Sequence, residues 1–236
     1  MLRLHSGLLS APEAKAVNYL VRRVPRRIAP DHLTAVALFG AILASVSLIG
    51  YQFSTWCLPP FLSGLIFNWL GDSLDGALAR YRGTERDGSG FMIDRSCDML
   101  CFSIVIICMG QSSFLSPNAS FMLLIGYLTN ANYGLMRAVV DRQSLIGFGG
   151  IGATEGRIAI ALWVIALKTL HMDLSLYQFA GVPIFELFCW SSLMGVFAVF
   201  VRRVFADIHR FQTIDGERVL WRGEPTSDSI SKSLLR

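Results

Sequence analysis

Two long stretches without a formally charged residue set the tightest limits on how this chain folds. No Asp, Glu, Lys or Arg occurs between Asp31 and Asp72, or between Asp98 and Arg137. A helix needs about twenty apolar residues to cross a bilayer, so these stretches supply most of four spans, separated by a Pro-Pro pair and by polar runs. Two shorter apolar segments follow, one containing Lys168 and the other Glu186. The predicted spans are 33–54, 60–80, 90–110, 118–138, 155–171 and 183–203.

Composition agrees with a membrane protein, since 53% of the residues are apolar and only 16% are charged. The prediction is an all-α integral membrane protein with six transmembrane helices in a single membrane domain, residues 31–210. Residues 1–30 carry six basic side chains, with apolar residues at helical spacing. They predict an N-terminal amphipathic helix lying in the interface on anionic lipid, a solvated basic arm being the alternative. Residues 211–236 read as a polar, loosely ordered cytoplasmic tail.

The distribution of basic residues predicts the orientation. Nineteen of the 21 Lys and Arg residues fall in the N-terminal arm, the 80–86 loop, the 137–157 segment and the stretch from 202 onward. The loops near 52–60 and 111–118 have none. By the positive-inside rule both termini are cytoplasmic, and so are the two basic loops.

Four aspartates lie close together in sequence at the predicted cytoplasmic ends of two spans. Asp72 and Asp75 are three residues apart, and Asp94 and Asp98 are four apart, so each pair shares a helix face. The short polar loop 81–89 between them makes the two helices antiparallel neighbours. All four carboxylates are therefore expected to converge on one small volume.

The negative charge of these acids must be compensated, because placing four uncompensated aspartates deep in a bilayer would cost a free energy of roughly 10 kcal/mol. An all-oxygen, carboxylate-rich site suits Mg²⁺ or Mn²⁺. Arg80, one turn beyond Asp75, offers a fork that matches phosphate oxygens. The favoured interpretation is a metal-bound diphosphate site. A structural interpretation is a set of salt bridges in which Arg80 and Arg95 neutralise two of the acids. A divalent-cation transporter and a membrane scaffold are hypotheses from different functional classes.

The same stretch resembles the signature of the CDP-alcohol phosphotransferases, integral membrane enzymes of phospholipid synthesis. In one respect it departs from that pattern: the nine residues between Arg80 and Gly90 are one more than expected. The extra residue falls in a loop. The fixed positions of the signature are Asp72, Asp75, Gly76, Ala79, Arg80, Gly90, Asp94 and Asp98.

The resemblance implies an enzyme that transfers a substituted phosphoryl group from a CDP-alcohol to an acceptor hydroxyl and releases CMP. The implied donor is CDP-diacylglycerol and the implied acceptor a polar alcohol; a donor such as CDP-choline or CDP-ethanolamine, with diacylglycerol as acceptor, is the alternative. A homodimer in a bacterial inner membrane is also implied, with no nucleic-acid partner. Two divalent ions, Mg²⁺ or Mn²⁺, would be held by Asp72, Asp75, Asp94 and Asp98. Asp98 would also act as the catalytic base. The implied CDP-alcohol contacts are Gly76, Ala79, Arg80 and Gly90.

Three further features are predicted to face the acids. Arg137 and Arg157 end and begin spans on the cytoplasmic side, which suggests a basic pocket for an anionic acceptor such as a polyol phosphate; ordinary positive-inside anchoring is the alternative. The Gly-rich segment 147–157 is either a phosphate cradle or a flexible connector, with Thr154 as a candidate helix cap. Asn68, one turn before Asp72, is a candidate polar lining of the site or a contact between helices.

Overall fold

The computed structural model is predominantly α-helical, as predicted. It describes residues 3–5, 9–86, 88–112, 114–141, 144–146, 152–170, 178–179 and 181–221. The chain divides into two compact units, Met1–Leu193 and Met194–Arg236. All contacts described below lie within the first unit. The helices are α1 (Ser10–Val21), α2 (Pro30–Gly50), α3 (Leu58–Arg82), α4 (Ser89–Gly110), α5 (Pro117–Asp141), α6 (Ala153–Leu170) and α7 (Ile184–Trp221).

Short strands, which the sequence did not predict, pair at two places among the described residues. Strand β1 (Arg3–His5) pairs in parallel with β2 (Ser144–Ile146), which lies between α5 and α6. Strands β3 (Gln178–Phe179) and β4 (Val182–Pro183) form an antiparallel pair just before α7. The first pairing joins the start of the chain to the connection that precedes α6.

Each of the helices α2 to α7 overlaps one of the six predicted spans, although α7 extends well past the predicted end at 203. Two of the described helices are long and apolar enough to cross a membrane, Pro30–Gly50 with mean hydropathy 2.2 and Ile184–Thr213 with mean hydropathy 2.0. That the other four also cross a bilayer stays a prediction. Helix α7 continues past position 211 to Trp221, residues 222–236 lie outside the described residues, and the polar tail stays a prediction.

Helix α1 confirms the helix predicted in the N-terminal arm, but its apolar face contacts protein. Val21 is buried in a small cluster with Leu33 of α2 and with Leu74 and Leu78 of α3. The neighbouring apolar residues of α1 pack against the same cluster. The apolar side chains predicted to lie on lipid therefore stabilise the docking of α1 on α2 and α3. On the polar side of the helix, Lys15 is exposed.

Helices α2 and α3 approach each other closely through glycine. A Cβ added to Gly71 would lie 2.4 Å from the backbone nitrogen of Ala37, and one added to Gly40 would lie 2.3 Å from the nitrogen of Asn68. Only hydrogen fits at these positions, as in tightly packed membrane helices. This contact ends beside Asp72, so it holds the acidic end of α3 against α2.

The connection after α3 is anchored to the bend between α1 and α2. Helix α3 ends at Gly83, whose φ of 64° is the left-handed conformation that favours glycine. Just before it, the Arg82 guanidinium donates to the carbonyl of Pro25 at 2.9 Å and to that of Ile28. Arg86 forms an ion pair with Asp31. The loop that joins the two aspartate-bearing helices is thereby fixed to α2.

A larger cluster of buried side chains fills the space among α2 to α6 and the start of α7. Phe61, Leu48 and Val164 are among its largest fully buried members. At its edge Glu186 of α7, itself buried, accepts a hydrogen bond from Ser116 Oγ at 2.6 Å. Asn118 Nδ2 lies 3.5 Å from the other carboxylate oxygen. This contact ties α7 to the start of α5.

Candidate functional site

Three of the four predicted aspartates meet between α3 and α4. Asp72, Asp94 and Asp98 each offer a carboxylate oxygen, and these oxygens lie within 4.8 Å of one another. All three residues are half-buried. The short loop brings the end of α3 next to the start of α4, as the sequence predicted. We call these three residues the acidic cluster.

Asp75 lies one turn along α3 from Asp72 but is not part of the acidic cluster formed by the described residues. Only 7% of it is exposed. Thr34 Oγ1 of α2 donates to Asp75 Oδ2 at 2.7 Å, and the backbone N–H of Gly76 donates to the other oxygen. The Asp75 carboxylate is thus held by α2 as well as by its own helix. Nothing in the sequence around Thr34 indicates this contact.

Arg157 of α6 forms the closest ion pair of the cluster. Its Nη2 lies 2.7 Å from Asp72 Oδ2, and its Nε donates to Asn68 Oδ1 at 2.6 Å. The guanidinium carbon is 5.2 Å from the centroid of the Phe102 ring, and only 5% of the residue is exposed. Asn68 in turn donates to the carbonyl of Ala37 at 2.8 Å. Asn68 therefore fills both roles considered for it, lining the cluster and joining helices.

Arg95 lies on the α4 side of the cluster at longer range. Its guanidinium nitrogens are 3.6 Å from Asp94 Oδ2 and 3.5 Å from Asp98 Oδ2. The Tyr127 hydroxyl of α5 donates to the backbone carbonyl of Asp98 at 3.2 Å. The salt-bridge interpretation was right about Arg95, but it did not include Arg157, which forms the shorter pair among the described contacts. Among the described contacts, Arg95 and Arg157 are the guanidinium groups beside the three carboxylates.

The donor set fits a divalent cation. All ligand atoms within the cluster are carboxylate oxygens, which Mg²⁺ and Mn²⁺ prefer. The side chains are partly exposed, so an ion and a phosphate have access to them. A cation would also offset the repulsion between carboxylates that lie this close together. Asp72, Asp94 and Asp98 are the residues best placed to hold it.

The remaining predicted contacts lie on α3, α4 and α5. Gly76 and Ala79 are half-buried on the turn of α3 after Asp75, and Gly90 opens α4. Arg137, near the end of α5, is half-buried. Residues 147–151 of the Gly-rich segment lie outside the described residues, so the phosphate cradle stays a prediction.

Thr154 has a different role from the predicted one. Helix α6 begins at Ala153, so Thr154 already lies within the helix. Its hydroxyl donates to Glu13 Oε1 of α1 at 2.8 Å. Sequence reasoning had not singled out Glu13. As an acidic residue in an arm of basic side chains, it offered a weak signal at most.

Comparison with known proteins gives two findings. The family model for CDP-alcohol phosphatidyltransferase matches residues 27–206. Cholinephosphotransferase 1 from Danio rerio is 26% identical over 189 residues, which cover 70% of this chain and 48% of the relative. The chain thus spans about half the length of the curated relative that it matches. The region matched by the family model contains α2 to α6, the whole acidic cluster and both arginines paired with it. The chain belongs to the CDP-alcohol phosphatidyltransferase family.

Proposed function

We propose that this protein transfers a substituted phosphoryl group from a CDP-alcohol to the hydroxyl of a second alcohol and releases CMP. The observation that carries the proposal is the convergence of Asp72, Asp94 and Asp98, since these are three of the four signature acids. Membership of the family supports the reaction class. The donor, the acceptor and the dependence on a metal are parts of the proposal.

The cluster would hold the diphosphate of the donor through Mg²⁺ or Mn²⁺, two ions being expected. Bound ions would offset the charge of the diphosphate and the charge that develops on the departing CMP. Asp72, Asp75, Asp94 and Asp98 are the proposed ligands. The nucleotide end of the donor would lie against α3 and the start of α4, where small residues leave room, and Arg80 would bind a phosphate oxygen. The proposed donor contacts are Gly76, Ala79, Arg80 and Gly90.

Asp98 is proposed as the general base. The acceptor oxygen forms a bond to the phosphorus of the alcohol phosphate as the bond between that phosphorus and the CMP oxygen breaks. The hydroxyl proton passes to the Asp98 carboxylate. Asp98 suits this role because its side chain is partly exposed and Arg95 lies close to one of its oxygens.

The proposed donor is CDP-diacylglycerol, with a polar alcohol as acceptor. The name of the Danio rerio relative supports the alternative, CDP-choline or CDP-ethanolamine with diacylglycerol as acceptor. Purified protein given each donor with a panel of acceptors, and analysed by mass spectrometry, separates the two. A phosphatidyl product from CDP-diacylglycerol is expected. A product only from CDP-choline or CDP-ethanolamine would change the donor, and the absence of CMP release with every donor would contradict the proposed function.

An anionic acceptor, such as a polyol phosphate, is proposed because Arg137 and Arg157 lie on the helices around the cluster. Arg157 is already bonded to Asp72, so an acceptor that contacted it would lie beside the proposed metal ligands. Its buried Nη1 has no hydrogen-bond partner among the described residues, and the proposal is that the N–H groups of this nitrogen would bind a ligand oxygen. A best acceptor without charge would contradict this part of the proposal.

The proposed setting is a membrane crossed six times, with both termini and the acidic cluster on the cytoplasmic side, and a homodimer as in the family resemblance. The test of orientation is labelling of single cysteines from the outer side, in a background without the native cysteines. Cysteines at Ser54 and Asn118 should react, and a cysteine at Gly83 should not. Labelling of the cysteine at Gly83 from the outer side would contradict the proposed orientation.

A further inference from the structure

One oxygen of Glu13 accepts three hydrogen bonds from two other helices. Trp69 Nε1 donates to Glu13 Oε1 at 3.1 Å and Ser73 Oγ at 2.9 Å, both from α3. Thr154 Oγ1 of α6 donates to the same oxygen at 2.8 Å. All four residues are half-buried. A carboxylate that receives several donors in partly buried surroundings forms charge-assisted bonds, which are stronger than neutral ones.

The donors to Glu13 flank the two members of the ion pair at the acidic cluster. Ser73 follows Asp72 directly on α3, and Thr154 comes one turn before Arg157 on α6. Glu13 thus joins α3 and α6 close to the point where Asp72 and Arg157 meet at 2.7 Å. A change in the spacing of these helices would move Asp72 and Arg157 apart, or would draw Asp72 away from Asp94 and Asp98.

A second contact runs in the opposite direction. Glu155 of α6 accepts from the backbone N–H of Leu9, at the start of α1, at 2.9 Å. It also accepts from the N–H of Gly152 at 2.9 Å. The starts of α1 and α6 are therefore bonded twice, each helix supplying one carboxylate. The apolar face of α1 holds the same helix on α3, so Glu13 is fixed in place from both sides.

We propose that Glu13 is a positioning residue that sets the spacing of α3 and α6 and thereby holds Asp72 in the geometry that binds a divalent cation. The inference rests on the proposed function, in which Asp72 is a metal ligand. Without Glu13, the hydroxyls of Ser73 and Thr154 and the indole of Trp69 lose their common acceptor. The spacing of α3 and α6 is then no longer fixed. When α6 moves, Asp72 stays bonded to Arg157 and moves with it out of the acidic cluster.

The test measures Mn²⁺ binding by the purified full chain in detergent, from the electron paramagnetic resonance signal of free Mn²⁺. Thermal unfolding and the Mn²⁺ concentration for half-maximal CMP release are measured alongside. Glu13→Ala should raise the Mn²⁺ dissociation constant about tenfold, the lower end of the range for residues that orient metal ligands. Glu13→Gln keeps an acceptor oxygen but loses the charge, so its effect should be smaller. Thr154→Val should act in the same direction.

Glu186→Gln is the matched control. It removes another hydrogen-bonded carboxylate that joins two helices, α7 and α5, at the end of α4 that is opposite the acidic cluster. It should lower the unfolding temperature and leave Mn²⁺ binding unchanged. If Glu13→Ala does not fold, Glu13→Gln and Thr154→Val carry the test. Because both act on one contact, the double variant should bind Mn²⁺ about as weakly as Glu13→Gln alone.

Two outcomes overturn the inference, and they differ in what else they imply. In the first, the wild-type protein and the Glu13 and Thr154 variants bind Mn²⁺ equally well, but the variants unfold at a lower temperature. Glu13 would then be only a structural contact, and the proposed function would stand. Wild-type protein that binds no Mn²⁺ would remove the metal site itself, and with it the proposed function.

Discussion

Acidic side chains lie among the helices of this protein at two places, Glu186 and the acidic cluster, and their surroundings differ. Glu186, near the start of α7, is matched by neutral donors, with Ser116 at 2.6 Å and Asn118 at 3.5 Å. In the acidic cluster, oxygens of three carboxylates lie within 4.8 Å of one another, and Arg95 lies 3.5 to 3.6 Å from two of these carboxylates. The first arrangement satisfies its carboxylate, whereas the second brings like charges together.

The difference separates structural acids from functional ones. A buried carboxylate stabilises helix packing when hydroxyl and amide donors satisfy it. Carboxylates held close to one another repel, and the arrangement is stable only where a cation compensates them. Arg95 and Arg157 provide part of that compensation. The remainder is what we assign to bound Mg²⁺ or Mn²⁺.

The largest effect is expected from Asp98→Asn, which removes the proposed base but keeps an oxygen that can contact a metal. Turnover should fall by about a hundredfold to ten-thousandfold, the usual contribution of a general base. Binding of the CDP-alcohol should stay within about tenfold of wild type, because a base acts mainly in the transition state. Steady-state kinetics and donor titration measure the two quantities. A kcat near that of wild type would refute the assignment of the base.

Asp75→Asn tests whether the site extends beyond the acidic cluster. If Asp75 is a metal ligand as proposed, the Mn²⁺ dissociation constant should rise by about tenfold or more, and the affinity for the donor should fall with it. Calorimetry with Mn²⁺ alone measures the first effect. Glu85→Gln, which removes an exposed carboxylate from the loop after α3, is the control. Unchanged metal affinity in Asp75→Asn would restrict the ligands to the acidic cluster.

Arg137→Ala tests the proposed acceptor pocket. Loss of a phosphate contact worth about 1.5–3 kcal/mol should raise the KM for an anionic acceptor by roughly tenfold to a hundredfold and spare the KM for the donor. Arg157→Ala should also raise the acceptor KM. It is the less selective variant, because Arg157 bonds to Asp72 and Asn68 as well. Unchanged acceptor kinetics in both variants would leave these arginines with a structural role.

Glu186→Gln should have the smallest effect, and it should change only the stability of the fold. Its hydrogen bonds in an apolar environment are worth about 1 kcal/mol, which corresponds to a few degrees in unfolding temperature for a chain of this size. Scanning calorimetry or a fluorescence melt checks this value. The Mn²⁺ dissociation constant should not change. A change in metal binding as large as that of Asp75→Asn would erase the distinction between the two groups of acids.

Much of the fold could be predicted because its signals are local. Charge-free runs and the breaks between them located α2 to α5, two shorter apolar segments located α6 and α7, and the four-residue spacing within α4 placed Asp94 and Asp98 on one face. The loop between α3 and α4 is short, so the meeting of Asp72 with that pair also followed from sequence. In each case, residues that act together lie on one helix or on helices joined directly.

Contacts between distant parts of the chain were decided only by tertiary structure. Arg157 lies 85 residues from Asp72 along the chain, and Thr154 lies 141 residues from Glu13. By sequence alone Arg157 is a candidate acceptor contact or an ordinary anchoring residue, with no sign of its bond to Asp72, and the apolar face of α1 is equally suited to lipid or to protein. Local patterns specify which helices form and which faces are apolar. Which faces meet depends on how closely the helices approach, and glycines such as Gly71 determine that only once a particular partner helix is in contact.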